Sequence, residues 1–442
     1  MRQQLGALAA LSLSVGLAAS LPAATITWPS PACGGTLQAC IDGTAAGNTV
    51  EIATNALVGE AITINKSLVL RPAPGFIPVL SGFLFLQSTS TAADITVSGL
   101  VLNSRMRAAV GTADLTVHIL NNGISVSSSF GAGIEISSGT FPPYGNMTSE
   151  IRGNTVNVTG GGFGPQCDGI TVGGVFDSGT STAWVTGNTV NAINCEQGVG
   201  IIAYPGPGEA MTVDIVGNRV HVAGTNNGIE LRNFQQTAGS VLSGRVINNV
   251  ITGQASYAGF PGAIVVSADG HHHINAYVLN NTVVDNDRGI GIGARTDLGA
   301  SIAGVVANNL VANTTFWGLS IDPEVESTLS NSNNLTYNTG DNSFTPGPGT
   351  LAADPLFLAT NNFRLKPTSP AANHGSNAVV PMDIAIDFDG TARIKGGVVD
   401  IGAFESVPAF SDFSAEGRSD IALRNSGSGD LAQYQMNAAA IT

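Results

Sequence analysis

Short stretches that alternate apolar and polar positions recur along the middle of the chain at a near-constant distance. One set follows a Gly: Ile134-Glu135-Ile136, Ile170-Thr171-Val172, Ile201-Ile202, Ile229-Glu230-Leu231, Ile290-Gly291-Ile292 and Leu319-Ser320-Ile321, with Gly262 to Val266 as a shifted copy. A second set precedes an Asn, as in Met211 to Val216, Val241 to Ile247, Ile274 to Leu279 and Ala300 to Val306. A third follows that Asn. The markers Asn122, Asn154, Asn188, Asn218, Asn249, Asn281, Asn309 and Asn334 are each preceded by Asn or Gly, and they step by 32, 34, 30, 31, 32, 28 and 25 residues. Period-2 patterning sends alternate side chains to opposite faces, so each repeat holds three short half-buried strands. Three strands in one repeat cannot bury an apolar face alone, whereas stacked coils pair every strand with the one above and below. The pattern predicts a parallel β-helix with three strands and about 30 residues per coil. Helical solenoids are excluded because they need long segments of period 3.6.

Asn tolerates the left-handed backbone region and its amide bonds neighbouring backbone, which suits a tight bend between two strands. Stacked at one bend on successive coils, the amides can also bond one another as a ladder. The asparagines are therefore expected to be structural, and chemistry is expected on the outward face. Aligning the Gly-led strands puts Glu135, Thr171, Ile202, Glu230, Gly291 and Ser320 in one outward column, with Ser137, Gly173, Arg232, Gly293 and Asp322 near the next.

Composition adds location and excludes partners. Arg2 precedes an apolar run from Leu5 to Ala19 and small residues through Ala24, which reads as a secretory signal over residues 1–24, too short for a membrane span. An exported protein of bacterial style is expected, secreted or held at the cell surface, without a membrane span in the mature chain and monomeric. The four cysteines fit an oxidising compartment, and the pairs Cys33–Cys40 and Cys167–Cys195 are expected, the second bridging neighbouring coils that stack ~4.8 Å apart. A net charge of −14 with 17 Lys plus Arg argues against nucleic acid and anionic lipid as partners.

The ends carry resemblances. Cys33 through Leu70, including Asn48-Thr49-Val50-Glu51-Ile52 and Ile62-Thr63-Ile64-Asn65-Lys66-Ser67-Leu68, resembles the start of secreted right-handed β-helix proteins of the pectate-lyase-like superfamily. Asp354-Pro355-Leu356-Phe357, Asn362-Phe363-Arg364-Leu365, Ser369-Pro370-Ala371, Asp387-Phe388-Asp389-Gly390, Arg393 and Gly396 through Glu405 resemble, in order, the choice-of-anchor Q domain. That resemblance implies a surface or secreted β-helix protein; the superfamily holds lyases, hydrolases, epimerases and binding proteins, and a fold does not choose among them. Residues 25–58 are expected to form an N-terminal cap with one helical stretch from Thr36 to Asp42, residues 59–345 the regular coils, and 346–406 a closing cap. In that cap Phe357, Phe363 and Leu365 would cover the last apolar cross-section, while Asp387, Asp389, Arg393, Asp400 and Glu405 would form internal ion pairs and turn bonds. Residues 407–442 resemble part of an FG-GAP/VCBS propeller repeat, which implies Asp412, Ser414, Glu416 and Asp420 as candidate calcium ligands, although Ser414 and Glu416 depart from the usual Asn and Asp.

Within the coils the sharpest chemical cluster is Glu230 and Arg232 on one coil, Asp269 and His271 on the next, and Arg288 with Arg295 on the one after. Glu230, Asp269 and Arg288 are the candidate catalytic groups; Arg232, His271, Arg295 and Trp317 are candidate contacts to a ligand. Cross-strand ion pairing accounts for the same charges without chemistry. His271-His272-His273 places only two rings on one strand face, too few for a metal site without a further ligand. Two functions remain: carbohydrate or cell-surface binding along the outer face, or a polysaccharide lyase or glycoside hydrolase.

Overall fold

The computed structural model describes residues 23–127, 131–138, 144–160, 167–174, 179–195, 198–224, 227–234, 239–253 and 262–406, together with the backbone of three later strands. Residues 1–22 of the expected export signal and the candidate calcium ligands Asp412, Ser414 and Glu416 lie outside the described residues, as does the side chain of Asp420. The three later strands, Asp420–Arg424, Leu431–Asn437 and Ala440–Ile441, pair antiparallel.

The chain winds a right-handed parallel β-helix in which each coil contributes one strand to each of three ladders. The coil from Thr189 shows the plan. Thr189–Ile193 lies in a back ladder, Val199–Tyr204 in a front ladder and Ala210–Val216 in a side ladder, before the bend at Gly217 and Asn218 starts the next coil. All three pair in parallel with the equivalent strands one coil away. The side ladder is a 12-stranded sheet that runs from Thr25–Trp28 to Leu329–Ser332. Alternation works as expected: Ile134, Ile136, Ile170, Val172, Ile201, Ile229, Leu231, Ile264 and Ile290 point inward into one continuous core. Each fully buried aliphatic side chain in such a column contributes about 1.5–3 kcal/mol.

The bends divide their work between two positions. The first residue of each pair takes the left-handed conformation, with φ of 55° at Asn121, 56° at Asn248, 52° at Asn280 and 57° at Asn308, or 68°, 62° and 66° at Gly153, Gly187 and Gly217. Asn or Gly stands there because those residues enter that region at least cost. The second residue builds the ladder. Asn188 Nδ2 donates to Asn218 Oδ1 at 3.0 Å and to the carbonyl of Ile151 at 2.8 Å, and Asn218 repeats the pattern with Asn249 and Val185. These amides are buried, and the ladder continues from Asn122 to Asn334.

At the N-terminal end, helix Leu37–Gly43 buries Leu37, Cys40 and Ile41 over the first coil. Thr36 accepts from the Ala39 N–H, and the Cys33–Cys40 disulfide ties the helix to the turn before it. The region expected to be only a cap also supplies two side-ladder strands, Thr25–Trp28 and Thr49–Ile52.

The C-terminal segment differs from the expected closing cap. Residues from about 354 to 406 run back along the side of the coils. Phe363, Leu365, Ile401, Ala403 and Phe404 pack on outward residues of the back ladder, namely Val250, Val284, Leu310, Ala312 and Leu335. One outward column reads Thr155, Thr189, Arg219, Val250, Thr282, Leu310 and Leu335, and the one beside it Asn157, Asn191, His221, Thr252, Val284 and Ala312. Both columns become more apolar under the strap, which also reaches Arg219, whose guanidinium lies 5.0 Å from the Phe388 ring centroid. First-position asparagines hold its backbone: Asn248 Nδ2 donates to the Ile386 carbonyl, Asn280 to that of Asp400, Asn308 to that of Ser376 and Asn333 to that of His374. Inside the strap, Arg393 pairs with Glu405 in full burial and also donates to Asn248 Oδ1 at 2.9 Å. Asp387 accepts from the backbone of Asp389, Thr391 and Glu405, and Arg364 pairs with Asp389.

Candidate functional site

Outward residues of the front ladder align as expected, through Glu135↔Thr171↔Ile202↔Glu230↔Val265↔Gly291↔Ser320. Their surroundings do not match a solvated face: Thr171, Ile202, Glu230 and Val265 are all buried. Glu230 and Arg232 on the strand Asn227–Asn233, and Phe234 just past its end, alternate with inward residues and point outward. Glu230 accepts from Asn227 Nδ2 at 2.9 Å and lies 3.9 Å from Arg232 Nε. Burial pushes the Glu230 carboxyl up, against the opposing pull of Arg232 and the Asn227 hydrogen bond. Arg232 continues past it, with its guanidinium 4.1 Å from the ring centroid of the exposed Phe234.

These side chains open onto a groove of about 340 Å³ that also takes in Ser267, Ala268 and Asp269 from the next coil, Gly293, Ala294 and Arg295 from the one after, and Asp322 beyond. Small residues make its floor. At Gly293 the reason is steric, because a β-carbon there would stand 2.2 Å from Asp322 Oδ2. Asp322 itself is pushed up by burial and by Glu324. Asp269 Oδ2 lies 3.6 Å from Arg295 Nη1, while its other oxygen accepts from the Gly270 N–H at 2.7 Å.

Beside the groove lies a further carboxyl. Asp168 accepts from the Val199 N–H at 2.8 Å and from Thr171 Oγ1 at 2.9 Å, and burial pushes it up. The Cys167–Cys195 disulfide joins the same two coils, with Cα atoms 5.4 Å apart.

Of the expected site residues, Glu230, Arg232, Asp269 and Arg295 meet at the groove. Arg288, His271 and Trp317 are not among its lining residues. Arg288 sits at the bend that leads into its front strand, over the Phe316 ring at 4.8 Å, and Trp317 is its register partner on the next coil. His271 lies in a turn against Gly299, whereas His272 is buried with Ser240 and His273 meets Ser301. The three rings therefore take three different surroundings. Phe234 and Asn227 complete the lining without having been picked out, whereas Asp322 already stood in the expected outward column beside Arg232 and Gly293.

Register sets what the carboxyls can do. Glu230 and Asp322 are three coils apart, and Glu230 and Asp269 one coil and four residues apart, which separates either pair of backbones by about 14 Å. Acid and base pairs of glycosidases hold their carboxyls about 5–9.5 Å apart. Asp168 acts electrostatically on Glu230, and burial pushes both towards the protonated form, so that pair supplies an acid more readily than a base.

Among solved structures the chain is similar to the crystal structure of pectate lyase Pel9A, with a TM-score of 0.51 and 14% identity over 84% of this chain and 91% of that one. The likeness is one of fold. No protein-family model and no curated protein matches the chain. Among the described residues no helix is long and apolar enough to cross a membrane.

Proposed function

We propose that this is an exported or cell-surface β-helix protein that binds a carbohydrate chain along its front-ladder groove without cleaving it. The observation that carries the reading is the Arg232–Phe234 pair over a floor of small residues: an exposed ring for a sugar face beside cationic and amide groups for its hydroxyls and acids. The likeness in fold to a protein named as a pectate lyase supports a saccharide as the ligand. Residues 346–406, read as a choice-of-anchor Q segment, support a surface location; the protein is proposed to be a monomer, and calcium at Asp412, Ser414, Glu416 and Asp420 belongs to the same reading of the tail.

A second reading, a polysaccharide lyase or glycoside hydrolase, is favoured by the buried Glu230 carboxyl poised as an acid. Affinity electrophoresis against a panel of polysaccharides, run beside assays for new reducing ends and for unsaturated products, separates the two. Binding without products is expected, weakened about tenfold by joint Arg232→Ala and Phe234→Ala substitution. Products that disappear in Glu230→Gln or Asp269→Asn would replace binding with catalysis.

A further inference from the structure

Away from the groove, the outward face of the side ladder carries two exposed aromatic rings in one register column. The column runs Trp184↔Asp214↔Arg245↔Tyr277, so the rings lie three coils, about 14 Å, apart along the helix axis. Trp184 is 41% and Tyr277 43% exposed, which is unusual for rings with an apolar core available beneath them. The charges around them are internally paired. Asp214 accepts from Arg245 Nε at 2.6 Å and Arg245 Nη1 donates to Asp383 at 3.0 Å; one coil before Trp184, Glu150 pairs with His118 and Arg152, each at 2.8 Å. Two residues earlier on the same strands, Thr182↔Thr212↔Ser243↔Asn275 form a parallel row of hydroxyls and an amide, with Thr212 and Asn275 exposed.

We propose that this face is a second binding strip for a neutral polysaccharide, which lies along the helix axis with sugar faces on Trp184 and Tyr277 and hydroxyls on the Thr182-to-Asn275 row. Paired charges leave no electrostatic reason for an ionic partner. Flat rings beside uncharged hydrogen-bonding groups match a flat, hydroxyl-rich one. The occupant of this chemistry is a β-linked neutral glucan, whose equatorial substituents leave apolar ring faces.

The strip uses other residues than the groove, so the two proposals fail separately. The test is retention of the whole protein on insoluble cellulose and in gels containing hydroxyethylcellulose, with polygalacturonate gels as the charged control. Neutral glucan is expected to retard the protein, with a several-fold loss of affinity in Trp184→Ala and in Tyr277→Ala and no loss in Arg232→Ala with Phe234→Ala. Both rings are exposed, so an unchanged melting temperature will show that the variants fold. No retention by either neutral glucan, retention by polygalacturonate alone, or retention that neither ring variant weakens would each overturn the proposal.

Discussion

At Asn218 one buried amide serves three neighbours. Its oxygen accepts from the backbone and side-chain N–H groups of Asn188, and its nitrogen donates to the carbonyl of Val185 and to Asn249. Asn218→Ala therefore strands buried donors and acceptors on both adjoining coils, and a loss of about 2–4 kcal/mol is expected from urea unfolding. Gly217→Asn, one residue earlier, is expected to change stability by less than about 1 kcal/mol. The left-handed site accepts either residue, and nothing stands within 4 Å of a β-carbon placed there. The sequence showed the Asn pair and its period, but not this division of labour, because which member bends and which bonds is a property of backbone angles. Glu230 has the same limit: its outward direction was legible, whereas its burial depends on groups far away in the chain.

The strap is the element that local reading placed wrongly. Phe357, Phe363 and Leu365 looked like an end cover because Pro355, Pro367 and Pro370 break the coil rhythm. Two signals of its true position lay in the coils instead. The two outward back columns become richer in apolar residues from Val250 onward, with Thr282 the polar exception, and the first bend residue changes from Gly153, Gly187 and Gly217 to Asn248, Asn280, Asn308 and Asn333, whose amides hold the strap. The strap also brings a pH dependence. Burial pushes Glu405 from its ordinary 4.5 up to about 7, so between these values the folded state binds more proton than the unfolded one. This contribution to stability is full below pH 4.5 and is lost as pH rises towards 7. Thermal melts across that range are expected to show the decline in the native protein and to lose it in Glu405→Gln. At pH values above about 7, where Glu405 is ionised, Arg393→Met would leave its carboxylate buried without a cation, at a cost of about 3–5 kcal/mol.

Across the whole molecule, period and patterning sufficed for the three ladders, the coil register, both disulfides and the outward columns. They were less complete for the groove: Glu230, Arg232, Asp269 and Arg295 were expected and line it, whereas Arg288, His271 and Trp317 were expected and do not. Stacking makes stability close to a sum of coils and their interfaces. Removing residues 123–154, which joins Asn122 to Thr155 in register, is therefore expected to leave a folded protein with a single cooperative melt. Removing residues 250–281 joins Asn249 to Thr282 equally well, yet it is expected to give a lower melting temperature or insoluble protein. The difference follows from the strap, whose backbone is bonded to Asn333, Asn308, Asn248 and Asn280 through His374, Ser376, Ile386 and Asp400 and so fits only one number of coils. It works as a gauge laid against the C-terminal coils. The N-terminal half of the helix is free to gain or lose a turn, while the half under the gauge must keep its count.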